Sequence, residues 1–237
     1  MRKMRSAAGV VIALVAMCGL ATGASASEWE RFQNCPSTDV TTFKCIYSTT
    51  EGGEVVLGKK TVPIVNPAVL QGGFTKPVEK ISKFVAATNG ETLSKSPQPV
   101  PGGLAGLVNC KEISNFILRA ACEWTFENGL TGVNSTLELA RPASEVEISE
   151  GNLISKKGIA LKLPVKIKLE NPFLGSNCYV GSSSNPIIWP MITGTTAPPP
   201  PNTPITGASG TPSFLEEGKI LVLSPTKLVE NAWSAPS

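Results

Sequence analysis

An all-β fold, an antiparallel β-sandwich or a barrel-like relative with at most one or two short helices, is what this sequence predicts, and three observations predict it. Glycine and proline supply 22 and 20 of the 237 residues, so apolar runs are broken by turns every few positions. Residues 159–169 alternate strictly: Ile159, Leu161, Leu163, Val165, Ile167 and Leu169 interleave with Ala160, Lys162, Pro164, Lys166 and Lys168. That is the period of a half-buried strand. The other candidate elements are short strands without long helical patterns between them, which suits antiparallel sheets better than βαβ units.

Taken from the N-terminus, residues 1–5 (MRKMR) carry three positive charges and residues 7–20 carry none. Ala24, Ser25 and Ala26 then place small side chains where a signal peptidase needs them. Residues 1-26 read as a secretory signal peptide cleaved after Ala26. The apolar core is too short for the roughly 20 residues of a membrane span. Met17 argues against lipid modification at Cys18, because that processing needs a small residue before the cysteine. No second long apolar run follows, so no transmembrane segment is expected after cleavage. The expected product, 27-237, is a secreted, extracellular or envelope-held β-rich region, read as one domain with a possible sub-boundary near 95-105.

Strand candidates along this region are 43–47, 54–57, 61–65, 124–126, 132–140, 145–148 and 219–223, most of them ending at Gly, Pro or Asn. Residues 78–87 and 113–121 are the two helix candidates, neither capped at both ends. Within the alternating segment, Pro164 lacks an N–H and the lysines would discourage pairing, so the strand is expected at a sheet edge or bulge. Residues 194-212, with Pro198 to Pro201 unbroken, favour polyproline II; a stiff surface loop is the preferred reading over a recognition ligand.

Five cysteines remain after leader removal, and an exported chain keeps disulfides. The sequence-near pairs are Cys35 with Cys45 and Cys110 with Cys122, a preference among fifteen arrangements. Cys178 is left unpaired, which calls for a partner chain, a buried thiol, or a cysteine further along. The loop-like ending after residue 224 favours the last.

Chemistry is scarce. The leader takes Arg2, Lys3 and Arg5 with it, so 21 basic residues fall to 18 against 18 acids, and neither nucleic acid nor anionic lipid is indicated as a partner. The chain has no histidine, and Asp39 is its one aspartate. The usual general base and metal ligands are therefore missing, and no catalytic, cofactor-binding or metal residue is assigned. Glu123 with Glu127, and Glu145 with Glu147, are the carboxylate pairs that sugar hydrolysis would use if each pair shared a strand face. Ser224 and Lys227 match only the bare S-x-x-K spacing. Trp29, Trp124, Trp189 and Trp233 are scattered, which suits core packing or loop anchoring better than a stacking platform.

The segment NPFLGSNCYVGSSSNPI at 171–187 resembles one in uncharacterised secreted proteins of actinobacteria. TGTTAPPPPNTPITG at 193–207, the lysine-alternating strand and GVNSTLELA at 132–140 are similar too, so the likeness covers about the second half. It implies a chain continuing to a further cysteine that pairs with Cys178, and it transfers no activity. A non-enzymatic extracellular or envelope binding or structural module, acting on an unknown partner and needing no cofactor, is the first functional expectation. An extracellular hydrolase using paired glutamates, or an exported inhibitor presenting a disulfide-braced loop, is the alternative.

Overall fold

The structure, a computed structural model, describes residues 10–14, 28–57, 60–103, 110–127 and 132–234. In chain order the strands are β1 (Val10–Leu14), β2 (Lys44–Leu57), β3 (Lys60–Pro63), β4 (Ala68–Phe74), β5 (Ser82–Val85), β6 (Pro97–Val100) and β7 (Val133–Leu139). They continue as β8 (Glu147–Ile148), β9 (Leu161–Glu170), β10 (Tyr179–Val180), β11 (Ile187–Met191), β12 (Thr211–Leu215), β13 (Ile220–Ser224) and β14 (Thr226–Glu230). Two α-helices, α1 (Phe116–Glu127) and α2 (Glu150–Ser155), interrupt them. The fold is all-β and antiparallel: twelve strands share one sheet, and β12 with β13 form a separate hairpin.

That sheet closes on itself. Its path runs β14-β1-β2-β4-β5-β8-β9, and β9 also pairs β11. Beyond β11, Ile192 and Val229 exchange backbone hydrogen bonds of 3.0 and 2.9 Å, which ties β11 to β14 and completes a ring. From β9 the sheet also branches through β7 to β6, and β6 lies beside β3. Here Gln98 Oε1 accepts the Val65 and Asn66 N–H groups at 2.8 and 2.9 Å, so a side chain carries on where the backbone ladder stops.

Strand β9 is the centre of this arrangement and not its edge, which corrects the reading from Pro164 and the lysines. One side of β9 pairs β8 at Leu161 and Lys162 and then β7 from Val165 to Glu170. The other side pairs β11 from Leu161 to Val165 and then β10. Pro164 accepts the Ala140 N–H on the side where β8 gives way to β7. Within a strand a residue's N and O point the same way, so the missing N–H falls at that hand-over, where no donor is required. The lysines are matched rather than repelling. Lys162 stands opposite Glu147 and Lys166 opposite Glu138, each 3.4 Å from its carboxylate, and Lys168 meets Glu170 at 2.7 Å.

The inward face of β9 forms the core with β11. Trp189 and Met191 are fully buried, and Trp189 meets Trp233 edge to face at 5.8 Å. Each such side chain contributes roughly 1.5–3 kcal/mol on burial. Disulfides join Cys35 to Cys45 and Cys110 to Cys122, each closing a short loop worth about 3 kcal/mol in the unfolded chain. Cys178 is half-buried and free.

Three further expectations are corrected. Residues 78–87 have helix-like apolar spacing, yet Val78 and Ile81 bond to each other across a tight turn in which Glu79 and Lys80 take positive φ, and β5 follows. Residues 124–126 lie in α1, not in a strand. The strands expected at 43–47 and 54–57 are strand from Lys44 on, but not separate: both belong to one 14-residue strand, β2, which runs through Gly52 and Gly53. The expected cleavage point between Ala26 and Ser27 lies outside the described residues, whereas part of the apolar leader is β1, paired with both β2 and β14. Residues 95–105 hold β6, hydrogen-bonded into the main sheet.

The proline-rich stretch is tied down at both ends. Thr195 bridges Thr206, and Gly207 donates to Gly194 O at 2.8 Å. A Cβ at Gly207 would stand 2.6 Å from Lys227 O, and one at Gly210 2.6 Å from the Ser224 nitrogen, so only glycine lets the loop lie this close to the barrel.

Directly opposed charges on β9 and β7 make a test of the central placement. Lys166→Glu should destabilise the protein by about 1 kcal/mol, and adding Glu138→Lys should restore most of the loss. Urea denaturation of the two single variants and the double reversal measures this; additive losses would mean the two strands are not paired in this register.

Candidate functional site

The closed sheet does not fill its interior. Between the β2–β4 wall and the β6–β7–β9 wall is a cavity of about 140 Å³. Its lining is mostly aliphatic because inward-facing positions from several strands converge there. Strand β9 contributes Leu161, Leu163, Ile167 and Leu169, β2 contributes Val55 and Leu57, and Trp189, Met191 and Leu228 close one side. The volume is close to that of the roughly 150 Å³ apolar cavity known to stay dry and admit an aromatic hydrocarbon.

Several polar groups at the wall are already engaged with the protein. Ser94 Oγ accepts the Val69 N–H at 2.8 Å, and Ser96 Oγ donates to Pro67 O at 2.6 Å. Gln98 spends both ends, since Nε2 donates to Asn66 O at 2.7 Å and to Ser96 O at 3.1 Å. A buried polar group without a partner is costly, and these four are satisfied through the backbone without water. Ser48 and Thr50 also line the cavity, and their hydroxyls make no hydrogen bond among the described residues. The Trp189 indole N–H is buried with no acceptor among the described residues, and Lys60 is the one charged residue in the lining.

The carboxylate pairs considered for catalysis do not form a site. Glu123 and Glu127 both belong to helix α1, which corrects their placement on a strand face. Glu145 is exposed in a 3-10 turn, and Glu147 is occupied by Lys162. Ser224 and Lys227 lie on β13 and β14, with Lys227 exchanging backbone bonds with Ala208, so they are not one helical turn apart. Of the tryptophans, Trp189 and Trp233 are core, Trp29 donates to Glu216 at 3.2 Å, and Trp124 is 61% exposed, neither core nor a half-buried anchor. The Cys35–Cys45 loop protrudes at Val40, but Asp39 and Thr42 amides close turns onto Pro36 and Asp39. A backbone folded into turns differs from the extended segment that adds as a strand to a partner sheet.

Among the described residues no group of three or more His, Cys, Asp or Glu could hold a metal ion, and no helix is long and apolar enough to cross a membrane. Sequence reasoning found the β9 face of the cavity but not the opposite wall. The alternation of Val55 with Leu57 and of Val62 with Ile64 was its available signal. No family profile matches the chain, and no curated protein or solved structure proves similar to it.

One buried acid borders this region. Burial pushes the Glu230 carboxyl above its ordinary value, against the pull of backbone N–H groups from Ala232, Trp233 and Asn231. The folded state therefore holds the proton more tightly than the unfolded chain. The contribution to stability is present below the ordinary value near 4.5 and is lost as pH rises through the raised folded value. Glu230→Gln, neutral at every pH, should raise the melting temperature by a few degrees at pH 7 and lose that advantage near pH 4. An equal effect at both pH values would mean the carboxyl is ordinary.

Proposed function

We propose that this protein is an exported, non-catalytic binding module that holds a small apolar molecule with an acidic head, of the short-chain or aromatic carboxylic-acid class, inside its barrel. The observation that carries the reading is the mostly aliphatic cavity in which Ser94, Ser96, Gln98 and Ser135 are turned back onto the protein, with Lys60 as its one charge. A catalytic pocket needs polar groups free to act on a substrate, while a hydrocarbon-binding pocket needs them spent elsewhere.

Lys60 supplies the one cation at the wall, suited to a carboxylate, and the Trp189 N–H offers a donor to a ligand oxygen. Access runs along β1. Val55 and Leu228 stand on its two neighbours, with Val55 in register with Val10 and Leu228 with Ile12, and both line the cavity. Removal of residues 1-26 during export takes this stave out of the wall and opens the cavity at the seam between β2 and β14. Two disulfides, the leader composition and the likeness to secreted actinobacterial proteins support the export part of the reading.

The test is calorimetric titration with hexanoic acid as the probe. The protein should bind hexanoic acid and prefer it to hexanol, and Lys60→Met should remove that preference. Ala68→Phe, which adds volume to the lining from a partly exposed position, should weaken binding at least tenfold without lowering the melting temperature. Probe binding unchanged by Ala68→Phe would overturn the cavity as the site.

A further inference from the structure

Strand β1 is bonded along both of its edges. Val10 to Leu14 stand opposite Glu230 to Thr226 of β14 on one side and opposite Val55 to Thr50 of β2 on the other. Both pairings are antiparallel, so β2 and β14 run parallel to each other with one strand between them. On β14 the backbone groups of Lys227 and Val229 are spent on Ala208 and Ile192, along the edge away from β1. Alternation along a strand therefore turns the N–H and C=O of Leu228 and Glu230 toward β1. Both residues are buried in the closed barrel, and a backbone group at such a place needs a partner.

We infer that the exported protein presents an open strand slot between β2 and β14, and that its occupant is an extended apolar segment of a second polypeptide, which enters as a shared strand. Loss of residues 1-26 does not let the two neighbours close on each other. Strands flanking a third lie about 9–10 Å apart, twice the ordinary spacing. The far edge of β14 is held at Ala208 and Ile192, and the far edge of β2 by β3 and β4, so drawing the two together would pull one of them from those ladders.

The flanks of the slot set the chemistry of its occupant. Directly opposite residues share one face of a sheet, so the positions level with Val55 and Leu228, which both line the cavity, take apolar side chains. The position level with Leu228 has Gly53 on its other side, which leaves room for a large one. An occupant must also have both edges free. Among the described residues every strand is already paired along at least one edge, so a folded second copy offers none. Strand addition of this kind takes its affinity from backbone bonds and its specificity from alternate side chains. The inference rests on the export part of the proposed function, because the slot opens only when the leader leaves, and it does not need the proposed ligand. A strand seated there also rebuilds the wall through which the small acid enters.

The experiment uses the protein as exported, its intact mass measured first, and a synthetic peptide of residues 8–16 with terminal lysines for solubility. The peptide should raise the melting temperature by several degrees and slow hydrogen exchange of the Leu228 and Glu230 amides at least tenfold. The same peptide N-methylated at Val10 and Ile12, whose N–H groups face β14, should bind at least tenfold more weakly although it is no less apolar. Equal binding of the two peptides, or slow exchange at Leu228 and Glu230 without any peptide, would overturn the slot. A dimer that the peptide breaks apart would overturn it in favour of a second copy. An intact mass that retains residues 1-26 would overturn the export reading and the slot with it, whereas a cleaved protein that ignores the peptide overturns the slot alone.

Discussion

The pairing of β9 along both edges is the constraint on which the molecule depends. Four partners share its ten residues, two on each side, so the main ring and the branch toward β6 and β3 meet in one strand. A strand in that position must offer a nearly complete set of backbone donors and acceptors, must be apolar on one face, and must neutralise what it presents on the other. The sequence meets each demand with a separate device: the proline at the hand-over between partners, the unbroken aliphatic face, and lysines opposite glutamates.

Closing the sheet around such a strand produces both a core and an incomplete core. Near β11 the inward side chains are large and interlock, with the two tryptophans edge to face. Toward β3 and β6 the facing residues are valine, leucine and serine, and the two walls are held apart by the Gln98 bridge rather than drawn together by ladder bonds. Packing is sacrificed where a side chain substitutes for a strand. That substitution is the physical origin of the space, and it puts the cavity beside the connection that carries α1.

Legibility followed how local the cause was. Strand β9 was readable because one face is buried and the other solvated, which writes period two into the sequence. Strands β7 and β8 were also read as strands, but that they flank β9 was not, because whether a lysine faces solvent or a glutamate on another strand depends on partners far along the chain. Strand β4 was missed altogether: it ends in Gln71-Gly72-Gly73-Phe74, buried throughout, and its glycines serve the close approach of Val85 and Thr42 rather than a turn. The segment before β5 imitates a helix because residues at positive φ compress a turn without any glycine to announce it. Helix α1 was read over 113–121, and only its second half, at 124–126, misled in the opposite direction. Its aromatic residues suggest a strand, and the assumption that apolar side chains face inward hides a helix that points them out. Both disulfides were readable because each joins cysteines a short loop apart, whereas the far wall of the cavity was visible only once the strands were ordered in space.

The proline-rich loop carries a consequence for how this sequence can vary. Its prolines stand mostly at the surface, while Gly194, Gly207 and Gly210 press their α-carbons against the backbone of neighbouring segments, leaving 2.5–2.6 Å for any added atom. Diversity in a randomised library of this loop would therefore concentrate in its bulkiest-looking residues. Selection would hold constant the three positions that have no side chain, so the residues contributing least to the surface would be the ones that record its ancestry.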